Sequence, residues 1–322
     1  MMETIKNLLV AMPMEPEHFE KLHELLPETE IVDRSKTEAA LEDVLRADVI
    51  LGNVKPAYTE NAPNLRWVQL CSAGSDNYAS RVPQGTILTN ASGAYGVVIS
   101  EFMLSAVMSL QKKLFLYRDA MKTGTWALLG QVKLMHECTC LVLGLGDIGG
   151  CFASRARALG AYVIGVRRSD AQKPEFVDEL HMMDELESLL PRADVIVMAL
   201  PNSPATSGLM DKSRFDLIKP GAILCNVGRG TAVVTDDLLQ ALHSGRLGGA
   251  ALDVTDPEPL PPEHPLWREE NVLITPHCSG NWSNRLITDN ILALFAENLR
   301  RLESGEELKN CVDRKTGYRS KK

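Results

Sequence analysis

The sequence predicts an alternating α/β protein built on parallel sheets that are covered on both faces. Three observations lead there: short apolar runs separated by amphipathic stretches in the N-terminal third, a second and sharper alternation from Cys138 onward, and apolar runs of four to seven residues with little polar alternation. Strand–helix alternation calls for parallel strands joined by crossovers, and strands buried on both faces read as continuous apolar runs. At 322 residues the chain has room for about two domains of roughly 100–200 residues each.

In the N-terminal third, strands are expected at 8–12, 31–32, 48–52, 67–70 and 87–89, with helices at 17–26 and 38–46. Residues 99–123 are mostly apolar, with no Gly or Pro before Gly124, and are expected to form one long helix capped near Ser100. Further on, strands are expected at 140–143, 162–166, 194–200, 222–226, 249–253 and 271–275. The helices among them fall at 147–159, 184–190, 211–218 and 236–244, and a last helical pattern covers 282–302.

Composition narrows the function classes. Hydrophobic residues make up 45% and charged residues 24%, as in a globular domain and unlike a disordered chain. The net charge of −8 argues against a nucleic-acid partner. No apolar run approaches the roughly 18 residues of a membrane span, and residues 7–12 are too short for a signal segment. Seven cysteines, an odd number at spacings unlike any zinc pattern, suggest reduced buried thiols, a cytoplasmic location and no metal.

The sharpest motif is Gly144-Leu145-Gly146-Asp147-Ile148-Gly149, placed between an apolar strand and an amphipathic helix. Gly144 permits the tight turn, Gly146 lets a pyrophosphate approach the backbone, and Gly149 lets the helix pack close to the strand. Asp147 and Ile148 open a helix whose N-terminal N–H groups and dipole attract phosphate. The next strand ends in Arg167-Arg168-Ser169, where an NAD-preferring site usually has an acidic residue. Two guanidinium groups and a hydroxyl attract a 2′-phosphate, so the expected cofactor is NADP in preference to NAD.

Three polar residues follow three late strands: Arg229, Glu258 and His277, each flanked by Gly or Pro. Ligands of open α/β sheets bind outside the carboxyl ends of the strands. Singly, each has an ordinary structural role open to it, as a surface arginine, a capping glutamate or a hydrogen-bonded histidine. Jointly they suit reversible reduction of a 2-keto acid. An arginine fork binds a carboxylate and polarises the adjacent ketone, a histidine exchanges the proton, and a neighbouring carboxylate stabilises the imidazolium.

With these residues in place the sequence resembles the D-isomer-specific 2-hydroxyacid dehydrogenases over nearly the whole chain, most strongly from Cys140 to Gly280. The likeness includes Leu200-Pro201-Asn202-Ser203-Pro204-Ala205-Thr206, Asn226-Val227-Gly228-Arg229-Gly230, Gly249-Ala250-Ala251-Leu252-Asp253-Val254 and Pro276-His277. It also includes the spacings of 29 residues from Arg229 to Glu258 and 19 from Glu258 to His277. The resemblance implies that Leu200, Pro201, Thr206, Val227, Gly228 and Gly280 border the cofactor. It implies that Asp253 lies near the nicotinamide carboxamide and that Glu258 pairs with His277. The stretch from Cys71 through Ser75 and Asp76 to Asn77 resembles the family's substrate loop, which implies that the Ala73 and Gly74 N–H groups hold the substrate carboxylate.

The resemblance further implies two Rossmann-like or flavodoxin-like doubly wound domains. A cofactor domain, 99–281, is inserted into a substrate domain made of 1–98 and 282–322. It implies a homodimer with residues 124–130 near the subunit contact; Trp126 and Leu128 either reach the partner's site or serve the chain's own core or surface. The expected activity is reduction of small 2-keto acids such as glyoxylate or hydroxypyruvate to D-2-hydroxy acids. An NAD-dependent 3-phosphoglycerate dehydrogenase, a phosphite-type dehydrogenase and a dinucleotide-sensing corepressor, which is a binding module, remain the alternatives. The chain departs from the family pattern at Thr255, which replaces a usual aromatic, at Glu137-Cys138-Thr139, and from Ser279 to Arg285. There a substrate contact from Trp282 or Arg285 is open, with packing of Trp282 at the helix start preferred.

Overall fold

The computed structural model describes residues 4–75, 77–168, 172–281, 284–314 and 318–319. Asp76, Ser169 and Trp282, singled out above, lie outside them. The chain forms two compact units, one holding residues up to Tyr95 and from Asn281 onward, the other Gly96–Gly280.

The first unit begins with β1 (Asn7–Ala11), α1 (Pro16–Leu25), β2 (Glu30–Asp33), α2 (Leu41–Arg46), β3 (Val49–Gly52), α3 (Pro56–Thr59), β4 (Trp67–Gln69) and β5 (Ile87–Thr89). Its five strands are all parallel, in the order β2-β1-β3-β4-β5. Leu9, Val44, Ile50, Val68, Leu70 and Leu88 form its core. The C-terminal part of the chain joins this core through the helix Arg285–Glu303. Phe295 of that helix stacks on the fully buried Trp67, with ring centroids 4.8 Å apart and planes 10° apart. Asn298 Nδ2 donates to Gln69 Oε1 at 3.2 Å. Two distant chain segments thus bury one apolar face together, which neither does alone.

The second unit opens with α4 (Gly96–Gln111) and α5 (Leu114–Lys122), where the sequence suggested a single helix over 99–123. The break falls at Lys113, which has φ 58°. Its N–H donates to the Leu110 carbonyl at 3.1 Å. Its Nζ donates to the Leu129 carbonyl, and Lys112 Nζ donates to that of Lys133 at 2.9 Å. A left-handed lysine closes α4 in the way glycine usually does, so neither Gly nor Pro marks the boundary. The helix also starts earlier than expected. Gly96 N–H donates to Asp147 Oδ2 at 2.8 Å, and Ser100 is buried within the helix with its hydroxyl on the Val97 carbonyl.

The chain continues through β6 (Thr139–Leu143), α6 (Asp147–Ala158), β7 (Tyr162–Arg167), β8 (Glu179–Met182), α7 (Leu186–Leu189), β9 (Val195–Met198), α8 (Lys212–Leu217), β10 (Ala222–Asn226), α9 (Thr235–His243), β11 (Leu247–Leu252) and β12 (Val272–Ile274). Seven parallel strands follow the order β12-β11-β10-β9-β6-β7-β8. The order reverses between β6 and β9, the topological switch point at which such sheets bind ligands. The strand β8 was not foreseen. It is a half-buried edge strand carrying Glu179 and His181, and charge on an edge discourages pairing with other chains. Among the described residues no helix is long and apolar enough to cross a membrane.

Candidate active site

The glycine turn joins β6 to α6 at the switch point. Gly144 has φ +94°, a conformation that L side chains rarely adopt. A Cβ on Gly149 would collide with the Gly144 carbonyl oxygen, whereas one on Gly146 would meet nothing within 4 Å. Gly146 is the N-cap of α6 and offers no side chain to cap it. Open space therefore faces uncapped first-turn N–H groups, among them those of Ile148 and Gly149, and this fits a pyrophosphate. The Asp147 carboxylate turns instead toward the N-terminus of α4.

At the end of β7, Arg167 is half-buried and Arg168 exposed. Arg167 Nη2 donates to the Leu145 carbonyl at 3.3 Å, while its buried Nε has no hydrogen-bond partner among the described residues. Among the described residues neither arginine has a carboxylate partner. Two cations beside the glycine turn suit a phosphate placed there.

The loops after β9, β10, β11 and β12 adjoin. Val227 N–H donates to the Met198 carbonyl at 3.1 Å, and a Cβ on Gly228 would meet Leu200 O at 2.5 Å. Thr206 Oγ1 donates to the Pro201 carbonyl at 2.7 Å and accepts from Ser203 N–H at 3.0 Å, which closes the Pro201–Thr206 turn. Asn226, 1% exposed, accepts from Gly228 N–H at 3.0 Å and donates to the Arg229 carbonyl at 2.9 Å. Arg229 Nη1 donates to the Gly228 carbonyl at 2.8 Å. A Cβ on Gly230 would collide with the Thr255 carbonyl, so the arginine loop lies directly against the segment leading to Glu258.

His277 is the centre of this face. Its Nδ1 lies 2.7 Å from Glu258 Oε1, both side chains being about half exposed. A carboxylate only accepts, so Nδ1 carries the proton and Nε2 is left for a ligand. Among the described residues no protein group binds Nε2. Asp253, 1% exposed, supports the loop from beneath. Its Oδ1 accepts from Thr275 Oγ1 at 2.7 Å, Cys278 N–H at 2.8 Å and Ser279 N–H at 3.1 Å, with Oδ2 also 3.1 Å from Ser279 N. Its main-chain oxygen accepts from His277 N–H at 2.9 Å. Gly280 ends this unit, half-buried.

Ala73, Gly74 and Arg285 belong to the first unit. Ala73 and Gly74 lie in the loop after β4. Arg285 Nε is 3.4 Å from Asp289 and its Nη1 is 3.9 Å from Glu17. Asn53, Asn90 and Asn226 were not singled out from the sequence. Their one signal is a polar amide at, or directly after, the end of an apolar strand.

Comparison with known proteins identifies the family. The family model for the D-isomer specific 2-hydroxyacid dehydrogenase NAD binding domain matches residues 104–279. A D-isomer specific 2-hydroxyacid dehydrogenase of Xanthobacter autotrophicus Py2, solved with NADPH and MES, is 28% identical, with 98% of this chain and 100% of that one covered and a TM-score of 0.82. A family protein of Aeromonas salmonicida subsp. salmonicida A449 is 34% identical, with 96% and 99% covered and a TM-score of 0.83. An NADPH-dependent glyoxylate/hydroxypyruvate reductase of Sinorhizobium meliloti, solved with NADP and sulfate, is 27% identical, with 97% and 100% covered and a TM-score of 0.81. The chain belongs to the D-isomer-specific 2-hydroxyacid dehydrogenases, a family of NAD(P)-dependent oxidoreductases.

Proposed function

We propose that the protein is an NADP-preferring reductase of small 2-keto acids, of the size of glyoxylate or hydroxypyruvate, that forms D-2-hydroxy acids. One observation carries the reading above the rest: His277 is held by Glu258 at 2.7 Å through Nδ1, with Nε2 unused by any described residue. When bound, the nicotinamide supplies the hydride. His277 gives its Nε2 proton to the oxygen that becomes the hydroxyl, and takes it back in oxidation. Glu258 fixes the ring and stabilises the imidazolium. Arg229 binds the carboxylate and polarises the ketone, and within the first unit the Ala73 and Gly74 N–H groups are carboxylate donors. Arg167 and Arg168 take the 2′-phosphate. Asp253 lies toward the carboxamide end of the cofactor and also supports the histidine loop. The second unit, expected over 99–281 and running over Gly96–Gly280, is the cofactor domain, and the first unit is the substrate domain.

The test is NADPH and NADH oxidation against glyoxylate, hydroxypyruvate and pyruvate. Turnover with a 2-keto acid, faster with NADPH, is expected. No oxidation of either nucleotide by any 2-keto acid would transfer the assignment to a dinucleotide-binding module.

The chain pairs with a second copy through the segment after α5, in this reading. Trp126 is 102% and Leu128 95% exposed. The Lys113 and Lys112 contacts to Leu129 and Lys133 anchor this segment, and an anchored apolar surface is characteristic of an interface. Sedimentation is expected to show a dimer that Trp126→Ser with Leu128→Ser dissociates. Among the described residues Cys71, Cys138, Cys140, Cys151, Cys225 and Cys278 form no disulfide, which suits a reducing cytoplasm.

A further inference from the structure

The loop after β4 is polarised, with its carbonyls claimed from inside the first unit. Tyr95 Oη donates to the Cys71 carbonyl. Ala91 N–H donates to that of Ser72 at 2.9 Å, Asn90 Nδ2 to that of Ala73 at 2.7 Å, and Ser72 Oγ to that of Gly74 at 2.6 Å. Among the described residues no acceptor meets the N–H of Ala73 or Gly74.

The orientations of the two asparagines follow from their partners. Asn90 Oδ1 accepts from Ser92 N–H at 3.2 Å, so its Nδ2 must be the end that faces Ala73. Asn53 Oδ1 accepts from Cys71 N–H at 3.1 Å, so its Nδ2 is the end that lies 3.2 Å from Ser72 Oγ. A hydroxyl has one proton. With Asn53 donating to its oxygen, Ser72 must spend that proton on Gly74. Asn53 follows β3 and Asn90 follows β5, the two strands that flank β4 in the sheet. The loop is therefore gripped from both neighbours.

We propose that Asn53, Ser72 and Asn90 are positioning residues that hold the carbonyls of Ala73 and Gly74 inward and so leave the Ala73 and Gly74 N–H groups as a two-donor receptor for a carboxylate. The ligand named here rests on the keto-acid reading, whereas the polarity of the loop does not.

The experiment titrates the full-length protein with oxalate, an unreactive dicarboxylate, and follows the backbone amide resonances of Ala73 and Gly74. Steady-state kinetics with NADPH and the best keto acid run alongside. Asn53 is exposed, so Asn53→Asp leaves the core intact. The introduced carboxylate accepts the Ser72 proton, and the Gly74 carbonyl loses its donor. The expected result is about tenfold weaker oxalate binding and a similar rise in KM, with kcat within about twofold and NADPH affinity unchanged. The same change made in a Ser72→Ala background has no proton to redirect, so a clearly smaller effect there separates reorientation from added charge. Asn90→Asp, which sets a carboxylate oxygen against the Ala73 carbonyl, is expected to weaken oxalate further.

Unchanged oxalate affinity in Asn53→Asp, or oxalate shifts that bypass Ala73 and Gly74, would overturn the proposal. Oxalate shifts at Ala73 and Gly74 that the variants abolish support it even if no keto acid is reduced, in which case only the substrate reading falls. Turnover that the variants leave untouched removes the loop proposal and spares the enzyme.

Discussion

The Asp253 carboxylate accepts the main-chain N–H of Cys278 at 2.8 Å, and this bond helps set where His277 stands. His277 has φ 49°, in the left-handed region that a non-glycine residue occupies only when its surroundings impose it. The bonds from Thr275, Cys278 and Ser279 to Asp253, with that from His277 N–H to the Asp253 carbonyl, impose it here. Asp253→Ala leaves main-chain donors facing an apolar void. Such a loss costs about 2–4 kcal/mol, given buried hydrogen bonds to a charged acceptor. Urea denaturation is expected to show that drop, together with a fall in kcat, and Asp253→Asn to recover part of both because one oxygen remains. An alanine variant with the wild-type midpoint and turnover would show that Asp253 does not support the loop.

The two members of the Glu258–His277 pair should fail differently. His277→Ala removes the proton donor, so kcat should fall about a thousandfold or more while NADPH binding persists. Glu258→Gln keeps a hydrogen-bond acceptor but removes the charge that stabilises the imidazolium. Its kcat loss should be smaller, about ten- to a hundredfold. Equal losses would mean that Glu258 does more than orient and stabilise, and intact turnover in His277→Ala would move the proton donor elsewhere.

Nucleotide choice should track Arg168, which is exposed and can change without disturbing the core. Arg168→Glu repels a 2′-phosphate but leaves a ribose hydroxyl a partner. We expect kcat/KM for NADPH to fall about ten- to a hundredfold and that for NADH to change much less. Arg167 is a poorer site for this test, because its side chain also donates to the Leu145 carbonyl beneath the glycine turn. A parallel decline with both nucleotides would assign Arg168 a role other than reading the phosphate.

The parts of this protein legible in its sequence are those whose signal is local. Most strands of the two sheets are short apolar runs, and the parallel α/β architecture follows from the alternation of such runs with helices. The glycine turn is legible because each glycine answers a constraint within six residues. The end of α4 was misread because a lysine took the left-handed position and gave no punctuation. Asn53 and Asn90 went unremarked, and Asn226 was quoted only as the first residue of a motif, for another reason. An asparagine after a strand looks like any turn former, and which carbonyl it holds depends on neighbouring loops far along the chain. The strand β8 was missed because its buried positions are only half covered and its charged residues pair laterally.

That edge gives a pH prediction. His181 Nε2 is 2.9 Å from Glu179 Oε2 and its Nδ1 is 2.9 Å from Glu185 Oε2, so both ring nitrogens face acceptors, an arrangement that favours the imidazolium. The hydrogen bond to Glu179, followed by that to Glu185, holds His181 above its usual 6.5. Arg192, then Tyr162 and His181, hold Glu179 far below its usual 4.5, and His181 lowers Glu185. The raised histidine contributes stability that is complete below about pH 6.5 and is lost as pH rises through its folded-state value. The lowered carboxylates contribute stability that is complete above about pH 4.5 and is lost as pH falls through theirs. The cluster therefore stabilises most between those limits. The melting-temperature difference between wild type and His181→Gln should be larger at about pH 5.5 than at about pH 8.5. Added salt should shrink it, because these groups are partly exposed. A difference that is the same at both pH values would mean that His181 stabilises the edge by packing rather than by charge.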